Sequence, residues 1–462
     1  MSEQRGNWSS NVGFILAATG SAIGLGNLWK FPFITWNNDG GAFVLVYLIC
    51  IAAVGLPIMM AELLIGRSTQ KSVVGALKQA VGPMWGIVGG WGVLCGFILL
   101  SYYTVIAGWS LFYFTKTIGW SMNGFPTDLA TGALFGEQAG NGNLQLGLSF
   151  LFSIATVSVV YFGVQRGIER IARIFLPILF VILVLMLISA LGMSGSGEAL
   201  SFIFRPNFAD LEPRGVLEAL GHSFFTLSLG MGAMVTYGSY IDRNQSIVKA
   251  SAVIVLLDTV IALVATIIMF SVIFSVAGMA DEVGGSTVGM LFISLPQLFY
   301  SEVPFGALLG PLFYVLIALA ALTSTMSLLE VVASYIIDEH GVDRRKATLM
   351  CGGAVFVFTI LAALSFGAAP ALSGFSLFEG KSGWFENADH FVSNWMLPTG
   401  GLAITIAAGW VMTRTATESE LMDGTQPSWF RYGAWRFFIR YVAPAAVTAI
   451  IIAVMFFGVD FS

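Results

Sequence analysis

Five ionisable residues lie within long apolar stretches or at their edges: Lys30, Glu62, Asp258, Glu330 and Asp389. A charged side chain inside a bilayer is costly and needs a partner, so such residues are functional candidates by default. Asp258 is the most informative of the five, because it lies in the middle of its stretch and requires a cation or a proton. The pattern therefore indicates cation chemistry inside a membrane.

Adjacent hydroxyl groups occur in the middle of another apolar stretch, at Thr323, Ser324 and Thr325. Hydroxyls in membrane helices often bond back to the preceding turn, so this feature alone is a weak signal. Together with carbonyl groups from an unwound helix, they form the oxygen-rich environment that hard cations prefer. No Cys/His cluster has the spacing of a transition-metal site.

Two apolar stretches carry runs of small and polar residues at mid-membrane depth, GSAIGLGN at 20–27 and FFTLSLGMG at 224–232. A helix with this composition is liable to unwind, and unwound backbone is tolerated only where it is buried in protein or lines a cavity. Interrupted segments in matching positions of two halves point to an inverted repeat with a binding site at its interface. The alternative is that these glycines serve only helix packing.

The elements that must position these groups are about eleven apolar stretches, each near or beyond the ~20 residues needed to span a bilayer. The chain is 57% hydrophobic and 10% charged, against roughly 25% charged residues in a soluble protein. These numbers predict an all-α polytopic membrane protein. The predicted spans are 11–37, 41–66, 85–116, 144–163, 168–192, 215–241, 246–277, 305–337, 345–367, 389–414 and 436–459.

The predicted spans form one transmembrane domain over 1–462. The first five, at about 11–192, and the next five, at about 215–414, are the candidate inverted repeats, with helices one and six broken and an extra helix at about 436–459. Basic residues concentrate in the loops on one side, which predicts a cytoplasmic N-terminus and, with an odd number of spans, an external C-terminus. The basic residues on that side are Arg5, Arg67, Lys71, Lys78, Arg166, Arg170, Arg173, Arg243, Lys249, Arg344, Arg345, Lys346, Arg414, Arg431, Arg436 and Arg440.

Two charge pairs are candidate gates. Lys30 follows the first helix break and Asp389 opens the tenth span on the same, predicted outer side; the alternative for Lys30 is snorkelling to the interface. Arg5 and Asp338 form a second candidate pair on the cytoplasmic side. Glu62 is interpreted as structural, accepting hydrogen bonds from backbone N–H groups that a broken neighbouring helix leaves unpaired.

The motifs GSAIGLGNLWKFP at 20–32, NDGGAF at 38–43 and FFTLSLGMG at 224–232 closely resemble those of the neurotransmitter:sodium symporter family, especially its bacterial amino-acid members. The resemblance covers essentially the whole chain. It implies the fold of the bacterial leucine transporter, in which a bundle of spans one, two, six and seven moves against a scaffold. It also implies sodium-coupled symport of L-amino acids by alternating access.

The resemblance implies two sodium sites in this chain. The first has as ligands the carbonyl of Ala22, the side chains of Asn27, Thr226 and Asp258, and the substrate carboxylate. The second has the carbonyls of Gly20, Ile23 and Ala320 with the hydroxyls of Thr323 and Ser324. The implied substrate site comprises Ala22, Leu25, Gly26, Leu99, Tyr103, Ile106, Phe225, Thr226, Ser228, Met231, Ser324 and Leu328.

The implied substrate site is largely apolar, which favours hydrophobic amino acids, and the flexible thioether of Met231 favours a broad aliphatic and aromatic range. The chain departs from the family pattern at Asp258, where the family commonly has Asn. At the positions that hold chloride in chloride-dependent members this chain has Tyr47, His222 and Ala262, so only the Tyr is kept. A fixed negative charge at Asp258 predicts chloride-independent transport, with proton countertransport as a further hypothesis.

Other classes of function fit the sequence less well. An uncoupled ion channel or leak would not need paired gates, and a carrier of small amino acids is the alternative within the family. The sequence contains no catalytic cluster and no nucleotide-binding motif that would predict an enzyme. The predicted partners are therefore the amino acid, two sodium ions and the lipid of a bacterial inner membrane, with no nucleic acid and no requirement for an oligomer.

Overall fold

The computed structural model describes residues 6–126, 130–275, 289–301, 303, 305–424 and 427–461, and its regular elements in these ranges are all helical. Arg5, a predicted gate residue, lies outside the described residues. The membrane-length helices and their broken counterparts are α1 (Asn11–Ala22), α2 (Gly26–Asn37), α3 (Gly41–Thr69), α4 (Pro83–Asn123), α5 (Gly142–Tyr161), α6 (Val164–Leu191), α7 (Pro213–Thr226), α8 (Ala233–Gly238), α9 (Ile247–Ile273), α10 (Gly306–His340), α11 (Arg344–Leu364), α12 (Gly383–Val411) and α13 (Tyr432–Phe457).

Within the described ranges, nine helices are long and apolar enough to cross a membrane, and α1 with α2 forms a tenth span bent by 52°. The remaining predicted span, 215–241, corresponds to α7 and α8, which are separated by Leu227–Gly232. The predicted all-α polytopic fold with about eleven spans is therefore confirmed, and the two interrupted spans are the first and the sixth.

The first break follows from the run of small residues after Ala22. Ile23 adopts an extended conformation (φ −71°, ψ 106°), which ends α1, and α2 begins three residues later at Gly26. Gly24 lies against the hydroxyls of Ser324 and Tyr103, so a Cβ atom there would come within 2.9 Å of both. The backbone therefore reaches the centre of the bundle because the side chain is absent.

The second break contains three residues with positive φ: Ser228 (54°), Gly230 (82°) and Gly232 (78°). Positive φ is rare for residues other than Gly, so Ser228 is held in a sparsely populated conformation. Gly230 additionally packs on the backbone of α12, where a Cβ atom would lie 2.3 Å from the carbonyl oxygen of Leu397. The sequence LSLGMG is thus suited to a turn buried between helices.

Packing between the helices brings the two breaks together. α10 packs along α4 and against α1, while α9 packs against α1 and α6. The outer surface of the bundle carries large exposed apolar side chains, among them Phe150, Val181, Ile188 and Phe456. Exposed apolar surface of this kind belongs in contact with lipid.

Candidate functional site

A cavity of about 370 Å³, part of it open to solvent, lies between the two helix breaks. Four apolar side chains, Leu99, Phe225, Met231 and Leu328, form one part of its wall, while hydroxyl groups and backbone of the broken helices form the rest. The full lining is Ser21, Ala22, Gly24, Gly26, Leu99, Tyr103, Phe225, Thr226, Ser228, Met231, Ser324, Ser327 and Leu328.

Of the twelve predicted substrate residues, ten line this cavity, whereas Leu25 and Ile106 do not. The backbone N–H of Leu25 instead donates a hydrogen bond of 3.0 Å to the hydroxyl of Tyr103, and Tyr103 itself lines the cavity. Gly26 opens α2, and the N-terminus of a helix favours negative charge. This end of the cavity therefore suits a carboxylate.

A cluster of oxygen-bearing side chains lies directly behind that end. The Asn27 amide donates to Asp258 Oδ1 at 2.7 Å and to Thr226 Oγ1 at 3.0 Å, while Thr226 donates to both Asp258 oxygens at 3.0 and 3.1 Å. All three side chains are fully buried. The four residues predicted for the first sodium site, these three and Ala22, therefore lie together beside the first break.

The donor set of this cluster fits a hard monovalent cation, because its atoms are carboxylate, hydroxyl and amide oxygens. Within the described part of the chain, no group of three or more His, Cys, Asp and Glu residues is placed to hold a transition metal. Asn27 Oδ1 accepts from the backbone N–H of Gly24 at 3.0 Å, so its amino group faces Asp258. A cation between these groups would require the Asn27 amide to turn its oxygen inward.

The residues predicted for the second sodium site also lie together. Thr323 donates to the carbonyl of Ala320 at 2.9 Å, and Ser324 approaches the carbonyl oxygens of Ala320 at 3.2 Å and Ile23 at 3.4 Å. A Cβ atom on Gly20 would lie 3.1 Å from the Thr323 side chain. The end of α1 and the middle of α10 thus form a second oxygen-rich contact, and it adjoins the cavity through Ser324.

On the predicted outer side, Lys30 and Asp389 are held by other groups and do not form an ion pair with each other. Lys30 donates to the carbonyl oxygen of Phe461 and lies over the ring of Phe225, 4.7 Å from its centre. Asp389 accepts from the hydroxyl of Tyr102 at 2.8 Å and from its own helix neighbour Ser393. The Phe225 ring, which lines the cavity, is therefore covered by Lys30.

The segment before α1 packs against the end of α8. The Trp8 indole is buried and donates to the carbonyl of Tyr237 at 3.0 Å. Asp338 accepts from the backbone N–H of Ser72 at 2.5 Å. Because Arg5 lies outside the described residues, the predicted pair with Asp338 stays a prediction.

Glu62 has the structural role that the sequence indicated, since its Oε1 accepts from the backbone N–H of Gly230 in the second break at 2.7 Å. Glu330, whose role the sequence left open, forms two hydrogen bonds with Arg344 at 2.8 and 2.9 Å and accepts one from Tyr240. This carboxylate therefore joins α10 to the start of α11 and to the segment after α8.

Sequence reasoning missed several residues of the site. Ser21 and Ser327 line the cavity and are joined by a hydrogen bond of 2.8 Å between their hydroxyls. Ser327 lies one helical turn after Ser324, so the helical period could have indicated it. Asp460 and Phe461 were also missed, because nothing in the short segment after the last helix indicates a contact with Lys30.

Tyr47 and His222, at the positions that hold chloride in other members of the resembling family, are buried and close together, with ring centres 5.7 Å apart. Within the described residues, neither the Tyr47 hydroxyl nor either His222 ring nitrogen has a hydrogen-bond partner. Ala262, the third position, is buried and has no polar side-chain atom.

Comparisons with known proteins find the same family of transporters over nearly the whole chain. The sequence profile of the sodium:neurotransmitter symporter family matches residues 5–125 and 135–459. A sodium-dependent transporter of Bacillus subtilis, YhdH, is 37% identical over 97% of both chains. A mouse sodium-dependent neutral amino acid transporter, B(0)AT3, is 30% identical over 58% of this chain and 48% of its own.

The same similarity extends to three dimensions. The crystal structure of MhsT in complex with L-phenylalanine superimposes with a TM-score of 0.87 and 38% sequence identity, covering 97% of this chain and 99% of that chain.

Proposed function

Because this chain belongs to the sodium:neurotransmitter symporter family, a family of sodium-dependent membrane transporters and not of enzymes, we propose that it carries hydrophobic L-amino acids by sodium-coupled symport. The observation that carries the proposal is the cavity between the two helix breaks. It combines a carboxylate-binding end, a buried oxygen cluster and a largely apolar wall.

The two ends of an amino acid match the polar atoms of the cavity. The N-terminus of α2 and the hydroxyl of Tyr103 suit the carboxylate, while carbonyl groups near Ala22, Phe225 and Thr226 suit the ammonium group. The ring of Phe225 with Met231 and Leu328 then leaves an apolar surface for the side chain. Burying a hydrophobic side chain against this wall contributes favourable binding free energy, whereas a small polar side chain gains little there.

Coupling follows from the position of the oxygen cluster next to the carboxylate-binding end. Asn27, Thr226, Asp258 and the carbonyl of Ala22 would hold one sodium ion, whose positive charge offsets both Asp258 and the substrate carboxylate. Because the ion and the substrate share this contact, each strengthens binding of the other by the same factor. Gly20, Ile23, Ala320, Thr323 and Ser324 would hold the second sodium ion, which ties α1 to α10.

We infer that transport does not require chloride. Asp258 supplies a fixed negative charge next to the first sodium site, and Ala262 offers no polar atom where a hydroxyl would help to hold an anion. Once sodium has left, Asp258 stays buried with two hydrogen-bonding neighbours and would be stabilised by a proton. Return of that proton across the membrane is the basis for the proposed proton countertransport.

We further propose that the chain is oriented with its N-terminus in the cytoplasm of a bacterial cell and with Lys30 on the outer side, as the distribution of Lys and Arg favours. In this orientation Trp8 closes the inner end of the cavity and Lys30 covers the outer end. Alternating access then consists of opening one of these ends while the other stays closed.

The experiment is uptake of radiolabelled L-amino acids into proteoliposomes under an inward sodium gradient, with chloride or gluconate as anion. Leucine, phenylalanine and tryptophan represent hydrophobic substrates, and glycine and alanine represent small ones. We expect sodium-dependent accumulation of the hydrophobic group at equal rates in both anions. A potassium gradient replaces sodium as the control.

The outcomes separate the alternatives. Accumulation of glycine or alanine alone would replace the proposed substrate with a small amino acid, and a requirement for chloride would refute the role assigned to Asp258. Sodium flux with no accumulated substrate would identify a leak. Tyr103→Phe, which removes only the hydroxyl at the carboxylate end, should lower the apparent substrate affinity, whereas Tyr113→Phe, at a buried tyrosine of the same helix outside the cavity, should not.

A further inference from the structure

The segment that follows the last helix folds back over the outer end of the transport pathway. α13 ends at Phe457, and Gly458 has a positive φ of 60°, which reverses the chain direction as in a common helix C-cap. The next residues, 459–461, then run toward α2. We call residues 458–461 the return segment.

The return segment is anchored to the scaffold helix α12 by specific polar contacts. Asn394 donates to Asp460 at 2.8 Å and accepts from the backbone N–H of Phe461 at 2.7 Å. Asp460 also forms an ion pair with Lys381 at 2.6 Å and lies 3.4 Å from His390. Charge-assisted hydrogen bonds of this kind are the stronger ones in proteins, so the backbone of the segment has a defined position.

Phe461 is the point at which the return segment meets the two broken spans. Its side chain is buried and packs on Gly221 of α7, where a Cβ atom would lie 2.9 Å from the ring. Its carbonyl oxygen accepts the hydrogen bond of Lys30, which extends from the α2 region over the ring of Phe225. The segment therefore connects α12 and α13 to both α2 and α7.

The arrangement differs from the direct ion pair expected from the sequence. Lys30 was predicted to pair with Asp389, but Asp389 forms no ion pair with it here and accepts through Oδ1 from Tyr102 and Ser393. A cation that is 8% exposed requires an acceptor, and the carbonyl group of Phe461 is that acceptor. In addition, Asp460 and Phe461 line a second cavity on the outer side of Phe225, together with Lys30 and Ile34.

We propose that the return segment is a working part of the outer gate: it holds Lys30 over Phe225 when the gate is closed and must release Lys30 before the pathway opens outward. This inference rests on the proposed alternating-access function. It assigns Phe461 and Asp460 as positioning residues, since neither lines the substrate cavity. Movement of α2 and α7 away from the scaffold would break the Lys30 and Gly221 contacts, while Asn394 would keep the segment on α12.

The test measures access to the outer cavity with a membrane-impermeant thiol reagent, in full-length protein in proteoliposomes. Ile34→Cys places the reporter in that cavity. The native cysteines are replaced by alanine so that only the reporter reacts: Cys50, Cys95 and Cys351. Asp460→Ala removes the charged anchor, and Phe457→Ala, at an exposed residue just before the segment, is the matched control.

We expect Asp460→Ala to raise the reaction rate of the reporter about tenfold, equivalent to ~1.4 kcal/mol, and Phe457→Ala to leave it unchanged. A second variant that ends after Gly458 removes the segment and should raise the rate at least as much. Unchanged rates in both variants, with the same elution volume and thermal stability as the parent, would overturn the proposal.

A double-variant cycle tests whether the segment acts through Lys30. Lys30→Met should itself raise the reaction rate, and adding Asp460→Ala to it should give less than the product of the two separate increases. If the reaction rate of the double variant rises by the full product of the two separate increases, the segment does not act through Lys30. Uptake, measured in parallel, tests the proposed function on its own: a parent protein without uptake would refute symport, whereas reporter access reports on the gate alone.

Discussion

Asp258→Asn is the substitution that most directly tests how the buried oxygen cluster works. The change keeps the size of the side chain but removes a negative charge that is fully buried between Asn27 and Thr226. If sodium binds in this cluster, the variant should bind it more weakly, because the amide oxygen supplies only a partial charge where the carboxylate supplied a full one.

The size of the effect follows from Coulomb's law. Two unit charges about 4 Å apart attract by ~4 kcal/mol at an effective dielectric constant of ~20. The amide dipole retains part of this attraction, so we expect the free energy of sodium binding to weaken by about 1.4–2.8 kcal/mol. This corresponds to an increase of roughly 10–100-fold in the sodium concentration for half-maximal binding. The apparent affinity for the amino acid should fall as well, because the two bindings are coupled.

The assay is sodium-dependent binding of a radiolabelled amino acid to purified protein, titrated with sodium at constant ionic strength. Thr266→Val is the matched control, because Thr266 lies on the same helix, is buried and donates to the carbonyl of Ala262 at 2.7 Å. An unchanged half-maximal sodium concentration in Asp258→Asn would refute the assignment. In proteoliposomes, we expect outward proton movement in the wild type and its loss in the same variant, and equal proton movement in both would refute countertransport.

Three further predictions concern the second helix break and the carboxylate end. Glu62→Ala should lower thermal stability in detergent, since it leaves the Gly230 N–H unpaired at a cost of about 1–3 kcal/mol; an unchanged melting temperature would contradict this. Gly230→Ala should yield little folded protein by size-exclusion chromatography, because its Cβ would lie 2.3 Å from the Leu397 carbonyl at positive φ, and normal yield would refute the packing argument. Tyr103→Phe should raise the KM for uptake about tenfold through loss of one charged hydrogen bond, with an unchanged KM excluding contact with the carboxylate.

The sequence predicted the architecture well because its signals are local and strong. Length and hydropathy set the spans, and the predicted boundaries agree with the helices to within several residues at α9 and α13. The break between α1 and α2 was predictable from a run of Gly and small polar residues, whose composition disfavours a helix. The second break also lies within the predicted segment FFTLSLGMG, since α7 ends at Thr226 and α8 begins at Ala233.

What the sequence could not predict are contacts between distant parts of the chain that use the backbone. Lys30 was assigned an acidic partner because charge pairing is the simplest rule available from residue types. Its partner is instead the carbonyl of Phe461, and every residue has a carbonyl group, so the sequence contains no signal for it. The hydrogen bond between the hydroxyls of Ser21 and Ser327 could not be predicted either, since each serine alone is typical of helix packing in a membrane.

Both helix breaks are stabilised by groups outside the broken helices, and this has a consequence for motion. Glu62 holds the second break through Gly230, and the Tyr103 hydroxyl holds the first through the N–H of Leu25. Each of these acceptors satisfies one of the N–H groups that a broken helix leaves unpaired. The Asn27 amide oxygen does the same by accepting from the N–H of Gly24, while its amino group donates to Asp258. A cation entering the oxygen cluster must therefore displace the Asn27 amino group from Asp258, whereas the Tyr103 hydroxyl, which accepts from Leu25, can still donate its own O–H to a carboxylate. Under the proposed function, the substrate carboxylate and the ion would meet beside these two groups, and that shared contact would couple their binding.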